Sequence, residues 1–232
     1  MSDSIDARIA AIAATQQRNI TRQQLLGLGL NRRAIDYRVR IGRLYVVHPG
    51  VYSVGGPPVT VFERAYAALL ACGGAAVLSH SSAMTLWGFY RRWDFPFEVT
   101  TGRDRRPKGV TVHRSRTLTG HDRDKQLGIP VTSPARTVLD IAPRLGDDLP
   151  TAVDKALLTK YVTKNLLAEA VDLHPGHPGA KLVLPFRERD AAALERDIIT
   201  VRTWDRHYGA PAREFARLER ILVRRRAYFS RS

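Results

Sequence analysis

The sequence predicts a protein of the α+β class, and three observations support that prediction. The first is an N-terminal segment, residues 5–12, in which isoleucines recur at helical spacing and alanines fill the same face. The second is an alanine-rich helical segment over Val61–Cys72. The third is a pair of alternating, β-prone runs at 97–101 and 110–114. Helices and strands are therefore both expected to form parts of the fold.

One stretch, residues 31–55, combines a helix with a tight β-hairpin: NRRAIDYRVRIGRLYVVHPGVYSVG. Asn31 is a good N-cap residue because its side-chain oxygen can accept hydrogen bonds from the free N–H groups of the first turn. Short β-prone runs at 44–47 and 51–54 flank the turn HPG at 48–50. A helix followed by such a hairpin is typical of the recognition helix and wing of a winged helix-turn-helix domain.

The outer face of this helix is basic and carries one aromatic residue. Ile35 and Val39 lie four residues apart and would face inward. Arginine can form paired hydrogen bonds with phosphate or guanine, whereas mixed Lys and Glu would serve solubility alone. A merely solvated helix face, or a protein-docking surface, is the alternative interpretation. The candidate DNA contacts are four residues of the helix and two of the hairpin: Arg32, Arg33, Tyr37, Arg40, Arg43 and His48.

Two shorter helices are expected before the recognition helix. The first should end near residues 18–19. The second should begin after Thr21 as its N-cap, with Leu25 and Leu26 facing inward. Glycines in the run GLGL then allow the sharp corner that leads into the recognition helix. Together with the hairpin, these helices predict a DNA-binding domain over residues 5–56.

Stretches rich in glycine and proline divide the rest of the chain. The run GGPP at 55–58 is expected to link the first domain to a second, α+β domain at 60–179. The run HPGHPG at 174–179 breaks the helical pattern and closes this second domain. A short tail with an αβα pattern is expected at 186–232.

Within the second domain, a helix is expected from Ser79 or Ser81 onward. The two alternating runs should then form strands joined by the basic turn GRDRRPKG. A further short strand is expected at 129–132. Ser133 should cap the next helix, and Pro134 should occupy its first position, where the missing N–H of proline costs nothing.

The charge balance is unusual for a globular protein. The chain has 37 Lys and Arg residues against 22 Asp and Glu, which gives a net charge of +15 and a pI near 10.7. Such a balance predicts attraction to polyanions and association that weakens with salt. The basic residues do not follow a long amphipathic helix with Trp or Phe opposite, so a membrane surface is the less favoured partner.

Compartment signals indicate a cytoplasmic protein. No apolar run approaches the length of a transmembrane helix, and the acidic start of the chain does not resemble a signal peptide. Cys72 is the one cysteine, so no intramolecular disulfide can form and a reducing setting is expected. Because Cys72 lies on an apolar helical segment, we interpret it as a small core residue.

Motifs for catalysis or metal binding are mostly missing. Neither G-x-S-x-G nor G-x-x-x-x-G-K-[ST] occurs. One cysteine cannot build a zinc site, and His174 and His177 lie in a loop without another nearby ligand. A nuclease needs carboxylates that converge on a divalent cation. Glu98 lies on an expected strand, but Thr100 stands where such sites often have lysine. We therefore predict no enzyme activity, no metal and no cofactor, with Glu98 packed in the strand and His80 as a capping or buried hydrogen-bonding residue.

The run ITRQQLLGLGLNRRAIDYRVRIGRLYVVHPGVYSVG resembles the N-terminal DNA-binding domain of the AbiEi family of antitoxins, and of its actinobacterial branch in particular. The likeness continues through LSHSSAMTLWGF, FEVTT, VTVHRSR and GIPVTSPARTVLDIA, so that it covers roughly residues 5–179. The ordered combination of these segments is more specific than the winged helix alone, which would fit many repressors.

The resemblance implies a division of labour. In type IV toxin–antitoxin systems, also known as abortive-infection systems, the N-terminal domain binds inverted repeats in the promoter of its own operon and represses it. The following domain counters a nucleotidyltransferase-like toxin without needing a stable complex. Residues 186–222 resemble the last helix, strand and helix of a very-short-patch-repair endonuclease domain that lacks its catalytic strands. The tail would then be a remnant that cannot bind metal.

Two other functions are compatible with the sequence. A nuclease-derived protein would use the tail and would also explain the positive charge. A ligand-responsive transcriptional regulator would sense a small molecule in its second domain and would have no antitoxin role. No group of residues in the sequence indicates which small molecule would be bound.

Overall fold

The computed structural model of the protein describes residues 4–187, which belong to one compact unit. The predicted tail at 186–232 lies outside the described residues, apart from its first two positions. Helices and strands both occur, so the α+β class is confirmed. The α-helices are α1 Ile5–Ala14, α2 Arg22–Gly27, α3 Arg32–Arg40, α4 Val61–Cys72, α5 His80–Trp87, α6 Pro134–Leu145, α7 Leu149–Leu158, α8 Lys164–Leu173 and α9 Ala180–Val183. The strands are β1 Asn19–Thr21, β2 Leu44–His48, β3 Val51–Val54, β4 Val77–Leu78, β5 Phe97–Thr101, β6 Val110–Arg114, β7 Arg123–Gln126 and β8 Ile129–Thr132.

The N-terminal part packs α1, α2 and α3 against an antiparallel sheet of strand order β1-β3-β2. Each helix has a local reason to begin where it does. The side chains of Ser4, Thr21 and Asn31 each accept a hydrogen bond from a backbone N–H in the first turn of the helix that follows. The predicted caps Thr21 and Asn31 are therefore confirmed. The buried residues of this part are Ile9, Ile20, Leu25, Leu30, Ile35, Leu44 and Tyr52.

Two details of this part differ from the prediction. Helix α1 ends at Ala14, earlier than expected, because Gln17 and Arg18 have left-handed backbone conformations with φ of 49° and 62°. Such angles cannot continue a right-handed helix, and the chain enters β1 instead. Leu25 is buried, but Leu26 is 46% exposed. The prediction that both face inward was wrong, because neighbouring residues of a helix point in different directions.

Helix α4 lies between the N-terminal part and the rest of the fold, and its predicted bounds are confirmed. Ala67 and Ala71 form a small buried cluster with Val51 of β3. Ala65 and Ala68 belong to the larger core that follows in the chain. Since both faces of α4 are buried by different sheets, small side chains are needed on both.

Polar contacts at the N-terminus of α4 join the same two parts. Arg18 donates to the backbone carbonyl of Val54 at 2.9 Å and lies 3.3 Å from the carboxylate of Glu63. The amide of Asn19 donates to the backbone carbonyl of Glu63 at 2.9 Å. Glu63 also forms a capping box with Thr60 at the start of the helix. The Glu63 carboxylate thus caps α4 and pairs with Arg18, which reaches β3, while the backbone carbonyl of Glu63 accepts from Asn19 of β1.

The second part is built on a five-stranded sheet of order β6-β5-β4-β8-β7. Strands β5 and β6 are parallel, with Phe97 opposite Val110. The prediction that GRDRRPKG forms a turn between them was wrong, since parallel strands require a connection that returns along their whole length. Eight residues can extend over about 26–29 Å, which is enough to pass a strand of roughly 17 Å. The basic segment is therefore a crossover rather than a turn.

Helices α5 to α9 complete the core of this part. Pro134 occupies the first position of α6 as predicted, but the side chain of Ser133 makes no capping hydrogen bond. Packing continues beyond the HPGHPG loop. Ala180, Val183 and Phe186 are buried in the same core cluster as the sheet residues.

The second glycine of the HPGHPG loop is required by a close approach of two backbone segments. A β-carbon at Gly179 would lie 2.0 Å from the carbonyl oxygen of Leu139 in α6. Such a distance is far inside van der Waals contact, and the obstructing atom is backbone that side-chain rotation cannot move. Gly176, the first glycine of the same loop, has no atom within 4 Å of the equivalent position.

Gly179→Ala should therefore lower the free energy of unfolding by at least about 1–3 kcal/mol, the usual cost of overpacking. Gly176→Ala adds the same methyl group to the same loop without a contact and should change stability by less than about 0.5 kcal/mol. Urea titration followed by circular dichroism would measure both. Equal stability of the two variants would show that the loop does not approach α6 in this way.

Arg136 of α6 lies at the centre of a buried network of charges. Its Nε is 2.7 Å from Oδ1 of Asp140, and its Nη1 is 3.4 Å from Oδ1 of Asp122. Nε2 of His174 lies 2.7 Å from Asp122, and Nε2 of His177 lies 3.3 Å from Asp140. The two histidines therefore contact different carboxylates. These contacts hold the HPGHPG loop in place, and the two histidines do not converge on one common partner.

Asp122 should make this network sensitive to acid. Burial alone would raise the pKa of Asp122, but hydrogen bonds from Thr119 and His174 and the charge of Arg136 outweigh burial and lower the pKa below its usual 3.8. A carboxyl group with a lowered pKa in the folded state stabilises the protein above its unfolded-state pKa. That contribution is lost as the pH falls below that value.

Asp122→Asn should therefore destabilise the protein by up to about 3–5 kcal/mol at neutral pH, because one partner of a buried ion pair is removed. The difference from the unsubstituted protein should shrink as the pH falls below about 4, because Asp122 then becomes protonated in the unfolded chain before it does so in the folded protein. Urea unfolding at about pH 7, 5 and 3 measures this difference. A difference that stays constant down to pH 3 would contradict the lowered pKa.

Candidate nucleic-acid interface

Helix α3 presents four of the six predicted DNA contacts to solvent. Arg32, Arg33 and Arg40 are exposed, and Tyr37 is 51% exposed. Ile35 on the opposite face is fully buried and anchors the helix. Within residues 4–187, nothing covers the outer face of α3. This surface is therefore accessible to a partner molecule.

The positive charge on this face is only partly neutralised. Arg32 lies 3.9 Å from Asp36, and both side chains are exposed, so the pair contributes little to stability. The guanidinium of Arg40 lies 5.5 Å from the centre of the Tyr37 ring, at cation–π distance. Among the described residues, Arg33 and Arg40 have no carboxylate partner. Two guanidinium groups are thus available to bind phosphate or base edges.

The end of α3 determines where the hairpin begins. Gly42 has φ of 72°, a left-handed conformation that glycine adopts without strain. Its N–H and the N–H of Arg43 bond to carbonyl groups of the last turn of α3, which is the pattern of a Schellman motif. The hairpin turn is then tied to the start of α2, because the N–H of Arg22 donates to the carbonyl of Gly50 at 2.8 Å. The hairpin is therefore fixed relative to α3 at its start and relative to α2 at its turn.

Arg43 lies on the hairpin, as expected, but it has an intramolecular partner. Its Nη1 is 2.7 Å from Oδ2 of Asp6 in α1. Arg38 of α3 contacts Oδ1 of the same carboxylate at 3.2 Å. Asp6 of α1 thus contacts α3 and the residue that precedes β2, and it offsets part of the charge that the hairpin would offer to DNA.

Among the six predicted DNA contacts, His48 has the surroundings that differ most from the prediction. It is half-buried and lines a groove of about 460 Å³ together with Arg64 and residues 95–97. Burial lowers the pKa of His48, so the imidazole is neutral near pH 7. His48 therefore adds little positive charge to the hairpin at neutral pH, and its contact with DNA stays a prediction. The exposed side chains of Tyr45 and Val46 in β2 were not predicted as part of this surface.

A second cluster of reactive side chains lies on the five-stranded sheet. Nε2 of His113 in β6 is 2.7 Å from Oε2 of Glu98 in β5. The imidazole rings of His113 and His80 stack with their centres 3.6 Å apart. Nη1 of Arg144 lies 2.5 Å from Oε2 of Glu98, and the Ser81 hydroxyl donates to Oε1 at 2.5 Å. Glu98 is therefore buried with partners on both oxygens.

The pKa values of His80 and Glu98 in this cluster are both lowered, but for different reasons. Burial lowers the pKa of His80 to about 4, although the negative charge of Asp140 opposes the shift. Burial alone would raise the pKa of Glu98, but hydrogen bonds from its three neighbours lower it to about 2. At neutral pH, a neutral His80 imidazole thus lies beside an ionised carboxylate.

No spacing motif could have predicted this cluster, because its members are far apart in the sequence. His80, Glu98 and His113 come from α5, β5 and β6, and the sheet brings them together. The signal in the sequence is indirect. The segments LSHSSAMTLWGF, FEVTT and VTVHRSR, which carry the family resemblance, each contain one of the three.

Comparisons with known proteins support the N-terminal part of the resemblance. Residues 7–55, which run from α1 to the end of the hairpin, match the model of a family described as "Transcriptional regulator, AbiEi antitoxin". The crystal structure of the RV2827C protein from Mycobacterium tuberculosis is similar to this chain, with a TM-score of 0.50 and 19% sequence identity. The similarity covers 84% of this chain and 81% of that one. At this identity, the likeness concerns the fold alone. None of the curated proteins matches the sequence.

These findings support a regulator of the antitoxin type for the N-terminal region. The matched family is one of transcriptional regulators, which agrees with DNA binding and gives no positive sign of catalysis. The actinobacterial branch and the endonuclease-like remnant stay predictions. Within residues 4–187, no helix is both long and apolar enough to cross a membrane.

Proposed function

We propose that this protein is a DNA-binding transcriptional repressor that serves as the antitoxin of a type IV toxin–antitoxin operon. The observation that carries this proposal is the outer face of α3, where Arg33 and Arg40 are exposed and lack carboxylate partners among the described residues. The net charge of +15 favours the same polyanionic partner. The family match over residues 7–55 supports a regulatory role for this part of the chain.

In this proposal α3 enters the major groove. Its arginines hydrogen-bond to guanine edges or phosphates, and Tyr37 packs against the backbone or a base. On the hairpin, Arg43 reaches phosphate by turning away from Asp6, which makes its net contribution smaller. His48 contributes at most a neutral hydrogen bond. The full set of proposed contacts is Arg32, Arg33, Tyr37, Arg40, Arg43 and His48.

The proposed binding site is a pair of inverted repeats in the promoter of the protein's own operon. Each repeat would be read by one copy of α3, so that two copies bind related half-sites. Occupied repeats would block transcription of the operon, and the protein would repress its own synthesis. A cytoplasmic setting follows from this role and stays a prediction.

The proposed antitoxin function belongs to the residues after the DNA-binding domain. These residues would counter a nucleotidyltransferase-like toxin encoded beside this protein, without a stable complex between the two. A neighbouring reading frame of that type would support the proposal. Repression and toxin neutralisation would then be separable, because they use different parts of the chain.

Arg33→Ala should weaken binding to the promoter duplex by about 1–3 kcal/mol, the usual value of a bidentate contact with a base edge, and should relax sequence preference at one position. Fluorescence anisotropy with promoter and scrambled duplexes measures both effects. Lys125→Ala removes the same charge from an exposed position on β7 and is the matched control. Equal losses in the two variants would refute a specific role for α3, whereas a uniform loss across sequences in Arg33→Ala would mark a phosphate contact.

Arg33→Ala should still neutralise the toxin when both proteins are expressed from foreign promoters. The reason is that its substitution lies outside the part proposed to act on the toxin. Growth of cells that express toxin with either form of the protein is the measurement. If Arg33→Ala fails to rescue growth at equal protein levels, neutralisation would depend on DNA binding and the proposed division of labour would be wrong.

A further inference from the structure

We propose that His80, Glu98 and His113 bind a divalent transition-metal ion of the zinc class, a property independent of DNA binding. One ligand atom from each residue can be chosen so that all three lie within 4.8 Å of one another. The three come from α5, β5 and β6, so the sheet and the helix packed against it hold them in place. Among the described residues, the His, Cys, Asp or Glu side chains that come this close together in a group of three or more are those of His80, Glu98 and His113.

The donor set suits zinc and its neighbours. Two imidazole nitrogens and one carboxylate oxygen form a common ligand set for Zn²⁺ at sites that keep an open position. Magnesium and calcium prefer sites made only of oxygen, so they are poor candidates. Metal–ligand bonds of about 2.0–2.2 Å place neighbouring donors roughly 3–4 Å apart, so the side chains need to move by only about 1 Å. The side chain of His113 is 31% exposed, which leaves the site open to solvent.

The contacts around the cluster already resemble those around a bound ion. Nε2 of His113 donates a hydrogen bond to Oε2 of Glu98 at 2.7 Å, and a metal ion would take the place of that proton. Nδ1 of His80 lies 3.0 Å from the hydroxyl of Ser79, so Nε2 is the nitrogen left to bind. The hydroxyl of Ser81 holds the other carboxylate oxygen of Glu98. Such hydrogen bonds to the ligands fix their orientation in metal sites.

The backbone at His80 supports the same interpretation. Its φ of 49° is left-handed, which is uncommon for a residue other than glycine. A conformation of this kind persists where the surrounding structure holds it, and it occurs often at functional sites. Here it directs the His80 ring onto the ring of His113, where the two imidazoles stack.

Arg144 is the competitor of the ion. Its guanidinium lies 2.5 Å from Oε2 of Glu98, the oxygen that would bind the metal. The Arg144 side chain is 51% exposed and can turn into solvent when a cation takes its place. If the cluster has a purely structural role, Arg144 stabilises it and its removal does not strengthen metal binding. If the cluster is a metal site, removal of Arg144 increases the affinity for the ion, so the affinity of an Arg144 variant distinguishes the two roles.

The test uses the full-length chain without an affinity tag, after treatment with a chelator. Titration calorimetry with Zn²⁺ and the visible absorption of bound Co²⁺ measure binding. We expect one ion per chain in the unsubstituted protein. His113→Gln and Glu98→Gln should weaken binding by at least about tenfold. Arg144→Gln should strengthen it several-fold. His121→Gln removes an exposed histidine outside the cluster and should have no effect.

Circular dichroism of each variant separates loss of a ligand from loss of the fold. If Glu98→Gln does not fold, His113→Gln and Arg144→Gln decide the question, because both positions are partly exposed. The proposal is overturned if the unsubstituted protein binds neither ion. It is also overturned if His113→Gln binds as tightly as the unsubstituted protein, if His121→Gln loses as much affinity as His113→Gln, or if Arg144→Gln binds more weakly.

Discussion

The packing of α4 between two sheets is the constraint on which the rest of the structure depends. One face of the helix covers the three-stranded sheet through Ala67 and Ala71, and the other enters the larger core through Ala65 and Ala68. Larger side chains on either face would separate the two sheets. Glu63 adds polar contacts at the same place, directly to Asn19 of β1 and through Arg18 to Val54 of β3. The position of α3 relative to the rest of the described chain follows from this packing.

Several arginines of the described residues differ in whether a carboxylate lies beside them. Arg136 and Arg144 lie against carboxylates in the second part, where they fix the fold or occupy the Glu98 cluster. Arg38 shares the carboxylate of Asp6 and supports α3 from its inner side. Arg33 and Arg40, by contrast, have no such partner among the described residues, and they lie on one exposed face. The acidic residue of α3, Asp36, lies near Arg32, so the positive charge of Arg33 and Arg40 stays uncompensated on that face.

Much of the N-terminal part could be predicted because its signals are local. Caps at Thr21 and Asn31, the glycine after α3 and the strands of the hairpin each depend on residues a few positions apart. Apart from Leu26, the errors occurred where the structure depends on residues distant in the sequence. The left-handed residues that end α1 have no sequence signature of their own, and β1 is a strand because β3 lies beside it. The half-buried position of His48 likewise depends on residues far along the chain.

By itself, the sequence determined the fold class, the exposed basic face of α3 and most helix boundaries, since these follow from periodicity and from capping residues. Only the tertiary structure decided that β5 and β6 run parallel, that Gly179 meets the backbone of α6, and that two distant histidines converge on Glu98. The reason is physical. The periodicity of a sequence indicates which side of a helix or strand is buried. Which other helix or strand packs against that side depends on how the whole chain folds.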